Sequence, residues 1–372
     1  MAEMSLKEVI GQKVAQEILL QASKKNRLAN TYLFYGPAGV GKFLVAWRLA
    51  QTLLCEKPTE NSSACGACPS CLKVAQLCHP DFYLVFPHPS SDKPREVQEH
   101  EDHFRQAKMA EPYQLMEYNR PINISVDKIR FLKEQIYRMP FQSEKKVVII
   151  EQAESMRSDS ANLLLKIFEE PPADTVLVLT TSQIDRMLPT VVSRSQKIRF
   201  APVTLETIHS ELQKRFSLDE EKAGYYASLS EGSLGVALSF ASGQWEKTLE
   251  NSHRLWRAVW SKKTKEIQDL IEIFSLEKDR SQILLLLKIW QYLLRDIFSA
   301  SVGLGSRHLI FRPLHNQALL PNLNFAPPRI YLAFQIVNQT RLDFYRNLGI
   351  KSLLVGLVLS LQSTLLSNTE EN

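Results

Sequence analysis

The sequence predicts an α/β domain built on a mostly parallel sheet around a phosphate loop, followed by a small helical domain and an all-α C-terminal domain. Three observations carry that expectation. Between Val9 and Ser195 short apolar runs alternate with helical stretches, the pattern of a parallel sheet covered by helices. A glycine-rich loop joins the first apolar run to the helix after it. After Pro202 the β-type runs stop and helical periodicity continues alone.

The whole chain sets the bounds. At 372 residues and 44% hydrophobic content it is long enough for two or three domains with real cores. The opening Met1 to Glu8 lacks the apolar core of a secretory signal, so a cytoplasmic protein is expected. Near the C-terminus the longest uncharged run, Ser352 to Thr369, is interrupted by Ser, Gln and Thr. A span needs about 20 predominantly apolar residues, so this run reads as a buried helix. A net charge of +5 is mild for the length and selects no partner.

In chain order, Thr31 to Tyr35 reads as a strand and Phe43 to Leu54 as a helix. Val147 to Ile150 and Val176 to Thr180 are further strands, with Ser158 to Phe168 a helix between them. These place an α/β domain at residues 1–203, carrying a cysteine insert at 55–78 and a polar insertion at 87–119. The insertion, dense in Glu, Asp, Lys, His and Gln, reads as a surface segment that is helical in part. Leu205 to Phe216, Glu220 to Ser230 and Ser233 to Ser242 form a small helical domain at 204–243. The remainder, 244–372, is helical, with amphipathic stretches at Thr264 to Phe274, Ser281 to Ala300 and Arg329 to Leu361 and a Pro- and Asn-bearing connection around Pro313 to Pro328.

Gly36-Pro37-Ala38-Gly39-Val40-Gly41-Lys42 stands between strand and helix, the context a phosphate loop requires. Its glycines would let backbone N–H groups close on an anion, and Lys42 would add a point charge at the helix N-terminus. The next residue should carry a magnesium-binding hydroxyl but is Phe43. Beyond the strand ending at Ile150, Glu151 keeps a carboxylate, whereas Gln152 stands where a water-activating Glu is expected. An amide is no general base, so ATP turnover is not expected from this chain alone. Whether the loop still binds nucleotide or persists as a packing turn stays open.

Cys65, Cys68 and Cys71 make two successive C-x-x-C steps, and Cys55 precedes them. Four clustered thiolates with no room for water favour a structural zinc ion. Cys78 and His79 follow closely, and either is an alternative ligand.

Val9-Ile10-Gly11-Gln12, the phosphate loop, the cysteine insert, the run Ser160 to Pro172 and Leu188-Pro189-Thr190-Val191-Val192-Ser193-Arg194-Ser195 together resemble bacterial clamp-loader subunits of the AAA+ class, over residues 9–242. The resemblance implies an AAA+ domain, a helical lid, and a C-terminal collar domain that joins those of other subunits in a pentamer. The partners it implies are gamma/tau- and delta-type subunits, with the sliding clamp and primed DNA met through the complex, as a component of a DNA-directed DNA polymerase holoenzyme, a nucleotidyltransferase. Phe43, Gln152 and Gly235, which stands where active relatives carry a nucleotide-sensing Arg, resemble the non-hydrolysing delta-prime branch of the family. Arg194 matches the arginine that this family extends in trans to a neighbour's ATP; read locally, it would pair with a nearby carboxylate. An active ATPase with an unusual loop and a zinc-dependent nucleic-acid binder are the competing readings. The three lost residues weigh against the first. The lack of a dense basic stripe with interleaved aromatics near the cysteines weighs against the second.

Overall fold

The computed structural model describes residues 9–25, 27–59, 63–89, 93–116, 118, 122–276, 280–303, 309–310, 325–344 and 349–366. The opening 1–8 and most of the connection at 313–328 lie outside the described residues.

The chain begins with α1 (Lys13–Lys24), β1 (Thr31–Tyr35), α2 (Lys42–Leu53), α3 (Pro69–Ala75) and β2 (Phe82–Val85). The short β3 (His88–Pro89), α4 (Pro94–Ala110), the short β4 (Ile122–Asn123) and α5 (Val126–Tyr137) follow. Then come β5 (Lys146–Ile150), α6 (Ser158–Glu169), β6 (Thr175–Thr181), α7 (Pro189–Arg194) and β7 (Gln196–Arg199). The rest is helical: α8 (Leu205–Phe216), α9 (Glu220–Leu229), α10 (Leu234–Ala241), α11 (Glu246–Trp260), α12 (Thr264–Leu276), α13 (Arg280–Ser301), α14 (Pro327–Phe344) and α15 (Ile350–Leu366).

Five strands pair in the order β2-β5-β6-β1-β7, every neighbouring pair parallel. The sheet is covered on both faces, so β5 and β6 are buried along their whole length and carry the apolar runs Val147 to Ile150 and Val176 to Leu179. Leu33, Val148, Ile150, Leu177 and Leu179 form a core with Ile129, Leu132 and Ile136 of α5 and Leu164 and Ile167 of α6. From β1 the chain crosses toward β2 on one side, and from β6 it crosses over β1 to β7 on the other. The carboxyl end of β1 is therefore a topological switch point, where open α/β sheets place their ligand sites. The phosphate loop leaves β1 at this point.

The contacts divide the chain into two compact units, residues 1–211 with 230–238, and residues 212–229 with 239–372. The second unit is helical, and Trp256 and Trp290, both fully buried, meet edge to face at 5.3 Å in its interior. Among the described residues no helix is long and apolar enough to cross a membrane.

Two expectations are refined. The stretch from Arg329 to Leu361 is two helices, α14 and α15, and the poor helix formers Asn347 and Gly349 lie in the sequence between them. The polar insertion is no surface segment only: α4 is helical, and Phe104, Lys108 and Tyr113 are buried. Strands β2 and β7 and helix α5 are additions. Only Ile198 of β7 is buried, which is why this edge strand lacks an apolar signature.

Candidate functional site

The phosphate loop is held in place from three sides. Lys42 turns its ammonium back onto the loop, donating to the carbonyls of Gly36 at 2.6 Å and Pro37 at 2.5 Å. Burial lowers its pKa to about 8, against the pull of the Glu151 and Glu154 carboxylates. The Ser233 hydroxyl donates to the Ala38 carbonyl at 2.8 Å, and the Gly235 N–H donates to the Gly39 carbonyl at 2.9 Å. A Cβ on Gly235 would stand 2.2 Å from the Tyr113 carbonyl oxygen, so an arginine has no room there.

The turn after α4 lies against the same loop. Tyr113 accepts the Ile10 N–H at 2.9 Å through its hydroxyl, and its ring edge sits where a side chain on Gly41 would be. Lys108 donates to the Gln114 carbonyl at 2.7 Å, with its ammonium 5.2 Å from the Phe43 ring centre and 5.7 Å from that of Phe104. Phe43 meets Phe104 edge-on at 6.3 Å. Phe43 is thus a core residue rather than a metal ligand. Glu151 is buried and accepts the Thr180 hydroxyl at 2.6 Å, and Gln152 adopts a left-handed backbone with its N–H on the same hydroxyl. Gly39, Gly41, Lys42, Phe43, Lys108, Tyr113, Glu151 and Thr180 line one cavity of about 50 Å³. Ligand sites run to roughly 300 Å³ and more. The space suits a water or two.

Cys55, Cys65, Cys68 and Cys71 converge, their sulfurs all within 4.8 Å of one another. The Cys55–Cys68 and Cys65–Cys71 pairs are each 3.9 Å apart. A tetrahedral zinc ion with bonds of about 2.3 Å requires about 3.8 Å between sulfurs, so the donor set fits. The sequence builds it locally: Cys68 caps α3, Pro69 opens that helix, and Cys71 lies one turn in. Backbone N–H groups of Ala67 and Cys68 point at the Cys65 sulfur and lower its pKa to about 6. Cys78 stays outside the cluster, exposed and directed at the Lys73 carbonyl. His79 faces Ser70 at 3.1 Å instead. Beside the cluster, Asp81 accepts the N–H groups of Phe141, Gln142 and Ser143 at 2.6 to 2.8 Å, and Gln142 donates to Ser70 and Glu56.

Arg194 closes α7 and is 39% exposed, paired with Glu169 at 3.0 Å. A model of the family described as DNA polymerase III, delta subunit, matches residues 11–204, just over half of the chain. The chain belongs to that family. It is similar to the DNA polymerase III subunit delta' of Pseudomonas aeruginosa, 35% identical over 179 residues, which are 48% of this chain and 45% of the relative. It is also similar to the subunit delta' of Bacillus subtilis, 25% identical over 93% of this chain and 94% of the relative. Among solved structures, the gamma-subunit-related protein of Thermotoga maritima covers 94% of this chain and 98% of its own, at a TM-score of 0.44 and 17% identity. The chain thus spans less than half of the Pseudomonas relative and nearly all of the Bacillus one.

Within this member of the delta-subunit family, the structure brings Gly39, Gly41, Lys42, Phe43, Glu151 and Gln152 around one cavity, with Gly36 beneath Lys42 and Gly235 against the loop. Arg194 lies apart from that cavity and the cysteine cluster is separate again. Sequence reasoning missed Lys108, Tyr113 and Asp81. Tyr113 and Phe104, apolar rings in an otherwise charged stretch, were the available signal.

Proposed function

We propose that the chain is the delta-prime-type subunit of a clamp loader, a non-hydrolysing AAA+ subunit that helps load a sliding clamp on primed DNA and supplies Arg194 to a neighbouring ATPase subunit. In this reading the partners are gamma/tau- and delta-type subunits in a pentamer, reached through the collar at 244–372, with the lid at 204–243 and the AAA+ domain at 1–203. The observation that carries it is the 50 Å³ cavity at the phosphate loop, lined by Phe43 and Gln152 in place of a magnesium ligand and a base. Gly36, Gly39, Gly41 and Lys42 are then a retained turn, the cluster of Cys55, Cys65, Cys68 and Cys71 holds a structural zinc ion, and no step of hydrolysis occurs in cis.

Arg194 supports the trans role by what it gives up. Its partner Glu169 is 51% exposed, and such surface pairs contribute about 0 to 1 kcal/mol. Releasing the guanidinium toward a phosphate is therefore inexpensive, and its fork suits bidentate contact.

The test is ATP hydrolysis by the full chain alone, then mixed with a gamma-type partner, a delta subunit, sliding clamp and primed DNA. Silence alone and stimulation in the mixture are expected, and turnover alone on the order of 1 per second would refute the reading. Arg194→Ala should leave assembly intact and lower the turnover of the site it serves by about tenfold or more, since arginine fingers contribute at least that much. Unchanged turnover would refute the trans role.

A further inference from the structure

The polar insertion packs against the phosphate loop, and its residues Lys108 and Tyr113 line the cavity there with Gly39, Gly41 and Lys42. Lys108 is only 5% exposed although it belongs to the residue type least often buried. Its ammonium is 5.2 Å from the ring centre of Phe43, the residue where a magnesium-binding hydroxyl is expected, and Lys108 lines the same cavity as Glu151, the carboxylate that follows β5. Glu151 and Glu111 favour its charge against the effect of burial. Carbonyls of Pro112 and Gln114 accept from it, so the segment satisfies its own cation. Tyr113, one turn on, presses its ring edge against Gly41 and its backbone carbonyl against Gly235.

We infer that α4 and its following turn are a resident plug of the phosphate loop, in which the Lys108 ammonium takes the place of the metal ion and Tyr113 fills the approach to the loop glycines. This rests on reading residues 36–42 as a phosphate loop and deepens it by naming what excludes nucleotide. The aromatic set Phe43, Phe86 and Phe104 anchors the plug: Phe86 and Phe104 stack at 3.7 Å, and Phe104 meets Phe43 edge-on. Arg105 donates to the Leu77 carbonyl at 2.5 Å, tying α4 to the turn after α3. The plug is thus part of the packed core of its unit, not a loop resting on it.

Calorimetric titration of the full chain with Mg-ATP and with tripolyphosphate tests this. The wild-type chain should bind neither up to millimolar concentration. Lys108→Ala combined with Tyr113→Ala, melting as a folded protein, should bind tripolyphosphate at least tenfold more tightly than wild type. Sub-millimolar binding by the wild-type chain, or no gain in the folded double variant, overturns the plug. Should the double variant fail to fold, amine-reactive labelling of the native wild-type chain decides. Lys108 should then react at least tenfold more slowly than Lys93, whose side chain is 78% exposed, and equal reactivity overturns the plug. Stimulation of ATP hydrolysis in the mixed complex does not depend on these outcomes, so failure of the plug and failure of the clamp-loader reading are separable.

Discussion

Gly235→Ala separates packing at the phosphate loop from simple helix propensity, because the two predict opposite signs. Gly235 lies in α10, where replacing glycine by alanine ordinarily stabilises by about 0.5 to 1 kcal/mol. Here the new Cβ would stand 2.2 Å from the Tyr113 carbonyl oxygen and 3.1 Å from the Gly39 Cα. Both are backbone atoms, so no side-chain rotation relieves the contact, and overpacking of this kind costs about 1 to 3 kcal/mol. Moving α10 away would also strain the bond from Gly235 N–H to the Gly39 carbonyl, a further loss of about 1 kcal/mol. After the propensity gain is subtracted, a net destabilisation of about 2 kcal/mol is expected. The urea dependence of amide exchange in β1 reads the stability of this unit. Gly356→Ala in α15, where a Cβ meets nothing within 4 Å, is the control and should be neutral or stabilising in the amides of its own unit. A neutral or stabilising Gly235→Ala would refute the close approach of Tyr113 to the loop.

Purified chain should carry one zinc ion, and Cys68→Ser should lower that content well below one per chain by elemental analysis; an unchanged content would remove Cys68 from the ligand set. The Lys42 ammonium should leave a mark on the pH dependence of stability. Its pKa falls to about 8 in the folded chain from an ordinary 10.5, so between those values the unfolded chain holds more protons and stability rises with pH. That contribution is complete above 10.5 and is lost as pH falls through 8. From pH 8 to 9.5 it amounts to about 1.6 kcal/mol, and Lys42→Met should lack that rise. Denaturation curves of both proteins across this range check it, and parallel profiles would contradict the burial of the charge.

How much was legible followed from how local each signal was. The β1 run Thr31 to Tyr35 coincides with its strand because both faces of a parallel sheet are buried and the whole run must be apolar. Cys65, Cys68 and Cys71 of the cysteine cluster were legible because one turn and one helix start set their spacing. The choice of Cys55 over Cys78 required the fold, because α2 delivers Cys55 at its end while Cys78 points away. Lys108 was illegible because charged residues in a polar stretch read as solvated, whereas the rings of Phe104 and Tyr113 marked the stretch as more than surface. The burial of Lys108 depends on a contact with Phe43, 65 positions earlier in sequence.

The departures at Phe43, Gln152 and Gly235 read as three separate losses along the sequence, yet two of them meet the same segment in space. The Phe43 ring supports Lys108 and Phe104, and the absent side chain at Gly235 makes room for the Tyr113 carbonyl. A hydroxyl at 43 would withdraw the aromatic face from a buried ammonium, and an arginine at 235 would collide with the turn. Both positions therefore pack against α4 and the turn that follows it. Arg194 is under no such constraint: it lies at the end of α7 in a weak exposed pair, and it is not among the residues that line that cavity. Under the proposed reading the guanidinium stays available to a neighbour whatever packs on the chain's own loop, because Arg194 and Glu169 are not among the residues that line the cavity there.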